Sequence, residues 1–190
     1  MTEVGTRPSL MARVRDARDH EAWSEFVGWV GPIVCRFFRR QRLADADALD
    51  VLQDVLLQLS VWFRGHAHDP ARGRFRSFLH AVARSRLIDF CRRRRARGGL
   101  TSADLGRLVR RDTAADFDEA YAEGVLRRAA ELARPRFRDR TYQAFWLTYV
   151  EGLGVEAAAA RLGTTAAAVN TARSRVRECV EDIIRHEGVE

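Results

Sequence analysis

The chain has no lysine; all 33 of its basic residues are arginine. Without lysine there is no phosphate-binding P-loop, which needs an ammonium group beside its glycine-rich turn. No nucleophile elbow is present either. Cysteine is scarce. Cys35, Cys91 and Cys179 are odd in number, far apart and outside any ligand spacing. That argues against a disulfide framework or a zinc site and fits a reducing cytoplasm. No apolar run approaches the roughly 20 residues of a membrane span, and no apolar signal core opens the chain. Neither a membrane nor an export segment is expected.

Proline is also rare, with 4 in 190 residues. Hydrophobic residues make up 46% and charged residues 31%, the balance of a soluble globular protein. Alanine, leucine, arginine and glutamate recur at helical spacing, so the fold class is all-α. The length suits one ordinary domain or two small ones. A G+C-rich genome accounts for the choice of arginine over lysine. It does not account for 33 basic residues against 26 acidic ones and a net charge of +7, which point to a polyanionic partner such as nucleic acid.

Asp19 is a candidate helix N-cap, followed by Trp23, Phe26, Val27 and Val30 as an apolar stripe. Gly31 and Pro32 break that pattern, and Pro32 fits the first turn of a second helix carrying Ile33, Val34, Phe37 and Phe38. Asp45 or Asp47 opens a third helix with Leu49, Leu52, Val55, Leu56 and Leu59 inward, ending near Trp62 and Phe63. Residues 65–73 read as a loop. A fourth helix is expected from about Arg74 to Arg95, with Phe75, Leu79, Val82 and Phe90 on one face. These four helices share one small core. Gly98 and Gly99 end the unit. Residues 96–118 are charged and weakly periodic, so they are read as a linker, and residues 119–190 as a second helical domain.

The clearest local motif covers residues 155–176. A short helix ends at Leu162 and Gly163 follows, where a helix–helix turn needs a positive φ. Thr164 or Thr165 caps the next helix. Ala158 and Ala159 allow a close crossing, and Val169 faces back to the core. On the last helix Val169, Ala172, Val176, Val180 and Ile183 form the inner stripe. Asn170, Thr171, Ser174 and Arg175 face away from it, as a recognition helix in a major groove would present them. An ordinary helical hairpin with a solvated polar face is the plainer alternative. His66, His68 and Asp69 resemble a metal-ligand cluster, but no second cluster lies downstream. A metal-dependent hydrolase is therefore set aside, and no metal, cofactor or catalytic residue is expected.

Two stretches resemble the sigma-70 family, specifically its extracytoplasmic-function (ECF) group. The first is DADALDVLQDVLLQLSVWF with DPARGRFRSFLHAVARSRLIDFCRRRR. It is similar to the family's promoter-melting domain, an acidic helix with an Asp-x-x-Gln-Glu/Asp core, then a loop, then a helix closing in an arginine run. The second is TYQAFWLTYVEGLGVEAAAARLGTTAAAVNTARSRVRE, similar to the family's C-terminal helix-turn-helix domain. Phe78 stands where the family usually has tryptophan, and Ser85 replaces a common asparagine. The turn before the last helix pair reads Gly-Val-Glu-Ala, without the usual polar-aromatic lead.

The resemblance implies two small helical domains joined by a linker: a region 2-like bundle over 1–95 and a region 4-like helix-turn-helix over 119–190. It implies that Asp50, Gln53 and Asp54, with Leu57 extending the same face, dock on the β′ clamp coiled coil of core RNA polymerase, and that the C-terminal domain meets the β flap. It places −10 promoter contacts on Arg72, Arg74, Arg76, Phe78, Arg84, Arg92 and Arg93, where cations hold phosphates and planar groups hold unstacked bases. Phe75 is read as core rather than as a base platform. Thr165, Asn170, Thr171, Ser174 and Arg175 fall at the −35 contact positions. An anti-sigma factor is a further partner the family admits. The implied activity is promoter-specific initiation, in the cytoplasm, by a protein that is not an enzyme. The alternative is a stand-alone helix-turn-helix regulator, which has no use for the N-terminal acidic helix.

Overall fold

The computed structural model describes residues 10–65, 75–101, 103, 105–107 and 111–186. The described residues contain helices and no strand. They fall into two compact units, Met1–Ala122 and Glu123–Glu190.

The first unit is built on α1 (Leu10–Arg13), α2 (His20–Arg40), α3 (Asp45–Gly65), α4 (Phe75–Ala96) and the first turns of α5 (Ala114–Ala133). Asp19 caps α2: its Oδ1 accepts the Ala22 N–H at 2.8 Å. The Arg13 guanidinium bonds the same carboxylate at 3.0 and 3.1 Å. These bonds hold the Asp19 carboxyl below its usual range. Phe26, Ile33, Phe37, Phe38, Val51, Val55, Leu59, Leu79 and Leu87 are buried, each worth about 1.5–3 kcal/mol in apolar transfer. Phe26 meets Phe63 and Phe75 edge-on at 5.3 and 5.9 Å.

Four details differ from the sequence reading. Residues 31–32 do not break the chain; α2 runs through Pro32 as one helix. Pro32 cannot donate to the Gly28 carbonyl, a defect that ordinarily costs about 3 kcal/mol. Here Gly28 is exposed, so its carbonyl lies on the solvent side of the helix, while Val30, Gly31, Ile33 and Val34 beside it are all buried. Leu49, expected inward, is 55% exposed, because Ala48, Val51, Leu52, Val55 and Leu59 already fill the buried arc of α3. The α2–α3 turn uses Arg42 at φ 65°, closed by Leu43 N–H to Phe38 O at 3.1 Å and Arg42 N–H to Arg39 O at 2.8 Å. This is a Schellman motif without glycine. Lastly, α5 begins at Ala114, inside the segment read as linker, and Thr113, Phe117, Ala120 and Tyr121 are buried. Phe117 lies 5.3 Å from Phe37 and 4.9 Å from His80. The first unit therefore reaches past residue 118 to Ala122.

In the second unit, the remainder of α5 packs with α6 (Asp139–Phe145) and α8 (Ala166–His186) through Ala129, Ala130, Ala133, Tyr142, Phe145, Val176, Val180 and Ile183. A π-helical turn, Trp146–Val150, follows α6. It leads to α7 (Val155–Leu162), which buries Ala158 and Ala159 against Ala144, Leu147 and Val169.

Candidate nucleic-acid interface

The turn between α7 and α8 is set by local chemistry. Gly163 takes φ 60°, ψ 46°, a conformation that costs a residue with a Cβ about 1–2 kcal/mol. Thr164 N–H bonds Ala159 O at 2.9 Å and Gly163 N–H bonds Ala160 O at 3.2 Å. Of the two candidate caps it is Thr165 that acts: its Oγ1 accepts the Ala168 N–H at 3.2 Å. Val169 is fully buried, as are Val176, Val180 and Ile183, whereas Ala172 is half-buried. Side chains this small at the crossing let α7 and α8 approach closely. On the opposite face of α8, Asn170, Thr171 and Arg175 are exposed and Ser174 is half-exposed. Thr171 Oγ1 donates to Ala167 O at 3.1 Å. Four of the five residues singled out on this motif thus lie on the side of α8 away from its buried stripe, and the fifth, Thr165, is exposed at the cap that precedes the helix.

Sequence reasoning missed a support for that motif. Arg140, on α6, donates from Nη2 to Leu162 O at 2.7 Å and Gly163 O at 2.6 Å. Its position more than 20 residues before the turn carries no local signal.

In the first unit, α3 and α4 bring acids and arginines together. Arg93 donates to Asp54 at 2.8 Å and Arg94 to Asp47 at 2.5 Å. Arg86 Nε donates to Gln58 Oε1 at 2.8 Å. Asp50, Gln53, Asp54, Phe90 and Arg93 line one shallow groove. Asp50 and Gln53 are exposed, Leu57 is 66% exposed and Val61 is 61% exposed. This face of α3 is therefore acidic at one end and apolar at the other. One residue from the set expected to hold DNA, Arg93, is paired with one from the set expected to hold polymerase, Asp54.

The remaining expected contacts on α4 are spread out. Phe78 is half-buried and lies against Trp62, with centroids 4.3 Å apart and 32° between planes. Trp62, which sequence reasoning did not select, supplies a second planar group at this edge. Phe75 is 3% exposed and belongs to the core. Arg76 lies 3.5 Å from Asp118, Arg92 lies 3.3 Å from Asp89, and Arg84 is half-buried. Arg72, Arg74 and the cluster His66, His68 and Asp69 lie outside the described residues. Among the described residues no group of side chains could hold a metal ion, and no helix is long and apolar enough to cross a membrane.

The start of α5 adds polar contacts to the same unit. His80 Nε2 lies 2.9 Å from Thr113 Oγ1, and burial, with Arg84 nearby, holds its imidazole below the ordinary value. Gln41 Nε2 donates to Asp116 Oδ2 at 2.8 Å, as does Arg111 Nη2 at 2.8 Å. Arg40 donates to Glu119. Burial pushes the Cys35 and Cys91 thiols up, as expected of inert core thiols.

An all-helical chain that pairs an acid- and arginine-faced bundle with a helix-turn-helix is the class these features define. Comparison with known proteins agrees. The family model for Sigma-70 region 2 matches residues 27–97. The chain is 32% identical over 191 residues to the ECF RNA polymerase sigma factor SigF of Caulobacter vibrioides, covering 97% of this chain and 98% of that one. It is 32% identical over 87 residues to the ECF RNA polymerase sigma factor RpoE of Cereibacter sphaeroides, a match spanning 46% of this chain and about half, 47%, of that protein. The chain belongs to the ECF sigma factors of the sigma-70 family.

Proposed function

We propose that the protein directs promoter-specific initiation by core RNA polymerase and is itself not an enzyme. The exposed α3 face of Asp50, Gln53, Asp54 and Leu57 docks on the β′ clamp coiled coil. An acidic surface ending in apolar side chains suits a basic helical partner. The second unit meets the β flap and reads the −35 element as duplex through Thr165, Asn170, Thr171, Ser174 and Arg175. Arg76, Phe78, Arg84, Arg92 and Arg93, with Arg72 and Arg74, handle the −10 element. Trp62 and Phe78 offer the planar surface that an unstacked base packs on. Affinity for single-stranded promoter offsets the cost of opening the duplex.

The observation that carries this reading is the conjunction, in one chain, of the outward polar face of α8 with the exposed acidic–apolar face of α3. A stand-alone regulator accounts for the first and leaves the second without a use.

Run-off transcription with core polymerase on a genomic promoter library tests the proposal. Initiation dependent on this chain is the expected result, and unchanged start-site selection overturns it. Asp50→Arg should abolish core binding, whereas Arg175→Ala should leave core binding intact and weaken promoter recognition. Equal loss of core binding in both variants would show that the two units do not divide the work in this way.

A further inference from the structure

The turn of a helix-turn-helix fixes how its last helix is presented. In this chain the turn carries two carbonyls that neither helix satisfies. Gly163 is left-handed, so the helical ladder of α7 stops there, and the carbonyls of Leu162 and Gly163 project from its C-terminal end. Such groups carry the negative end of the helix dipole and favour a cation. One nitrogen meets both: Arg140 Nη2 lies 2.7 Å from Leu162 O and 2.6 Å from Gly163 O. Charge-assisted bonds of this length are stronger than neutral ones. Arg140 sits on α6, whose Tyr142, Ala144 and Phe145 are buried, so the guanidinium extends from a rigid element. The turn is thereby tied to α6 as well as to its own two helices.

We infer that Arg140 is a positioning residue for promoter reading. It locks the α7–α8 turn, so that Thr165, Asn170 and Arg175 are held in one orientation before DNA arrives. This rests on the −35 assignment above and adds to it a residue outside the reading helix. Preorganisation of this kind improves discrimination between sequences rather than attraction to phosphate.

The test compares full-length wild type, Arg140→Ala and Arg140→Lys, each assembled with core polymerase. The ligands are a promoter duplex recovered by run-off selection and the same duplex with its −35 element scrambled. Amide hydrogen exchange is followed on the free proteins. For Arg140→Ala the preference for the intact duplex should fall about tenfold, the scale of one good base contact, with no change in the salt dependence of binding. Exchange should quicken at the amides of residues 163–168 and not elsewhere in the unit. Arg140→Lys, whose ammonium can donate to both carbonyls, should restore most of the preference.

A salt slope lowered by about 0.9 with unchanged preference would overturn the inference, because Arg140 would then be a phosphate contact. Equal loss on both duplexes, with exchange quickened throughout the second unit, would also overturn it by making Arg140 a general stabiliser. Should wild type fail to distinguish the duplexes while Arg140→Ala still loosens residues 163–168, the −35 assignment fails and the locking of the turn stands.

Discussion

The two arginine-bearing faces differ in how much of their charge is already engaged within the protein. On α4, Arg92 lies 3.3 Å from Asp89, Arg93 2.8 Å from Asp54, Arg94 2.5 Å from Asp47 and Arg76 3.5 Å from Asp118. On α8, Arg175 is exposed and has no ion-pair partner among the described residues. A count of arginines treats the faces alike, and the electrostatics do not. Exposed pairs are worth only about 0–1 kcal/mol, so a phosphate can displace a carboxylate from α4 at small cost. The gain is also smaller, because the cation exchanges one anion for another. These four arginines of α4 are thus compensated and held ready, whereas Arg175 on α8 is uncompensated, although further along that helix Arg177 and Arg185 pair with Glu181 and Asp182.

The sharpest way to break that contrast is to release the acids that α5 brings to the first unit. Phe117 is fully buried between Phe37, His80 and Tyr121, and its burial delivers Asp116, Asp118 and Glu119 to Gln41, Arg76 and Arg40. Phe117→Ala should destabilise the first unit by about 3–5 kcal/mol, read by chemical denaturation. A solvated linker would show no change. Next in size, Arg175→Ala should weaken promoter binding by about 1–3 kcal/mol. Arg93→Ala should cost under about 1 kcal/mol, because Asp54 already compensates that charge. Asp54→Asn should sharpen the contrast from the other side by raising DNA affinity at low salt. Binding isotherms across a salt series check all three.

The sequence carried the elements whose signals are local. Asp19 as a cap, the Val169–Val176–Val180–Ile183 stripe and the left-handed Gly163 were legible because each rests on residues within a few positions of one another. What escaped depends on partners distant in the chain. Pro32 in isolation signals a break, and only the burial of its neighbours keeps α2 whole. Arg42 adopts a φ that favours glycine, with no sign of it in its residue type. The charged, weakly periodic composition of residues 96–118 suggested a linker, whereas Thr113 and Phe117 are buried. The fold class and the outward polar face of α8 were therefore accessible from sequence. The pairing of Arg93 with Asp54, the Trp62–Phe78 contact and the Arg140 lock were not, since each joins side chains from different helices.

An effect of similar size separates the cap of α8 from the −35 contact proposed for Thr165. Thr165→Ala removes the oxygen that accepts the Ala168 N–H and should cost about 1 kcal/mol of second-unit stability. Thr165→Ser keeps that oxygen and should restore the stability. If serine also restores promoter preference, the hydroxyl suffices for both roles. If preference stays low at normal stability, the threonine methyl takes part in reading.

The smallest expected effect is a pH dependence confined to the first unit. His80 is half-buried between Phe37 of α2 and Phe117 of α5, with Nε2 at Thr113. Burial lowers its affinity for a proton, Arg84 lowers it further, and Asp118 and Asp112 oppose them with smaller effect. A histidine depressed in the folded state binds protons more readily when unfolded, so acid favours unfolding. Its contribution is complete above the ordinary value of 6.5 and declines as pH falls below that value towards the depressed one. Most carboxylates titrate lower still, so the first decline below 6.5 belongs to His80. His80→Gln keeps a polar partner for Thr113 and cannot titrate. The stability of the first unit to urea should therefore depend less on pH just below 6.5 in the variant than in wild type, with transitions of the second unit unchanged. Identical slopes in the two proteins would mean that the α4–α5 contact does not depend on a neutral imidazole.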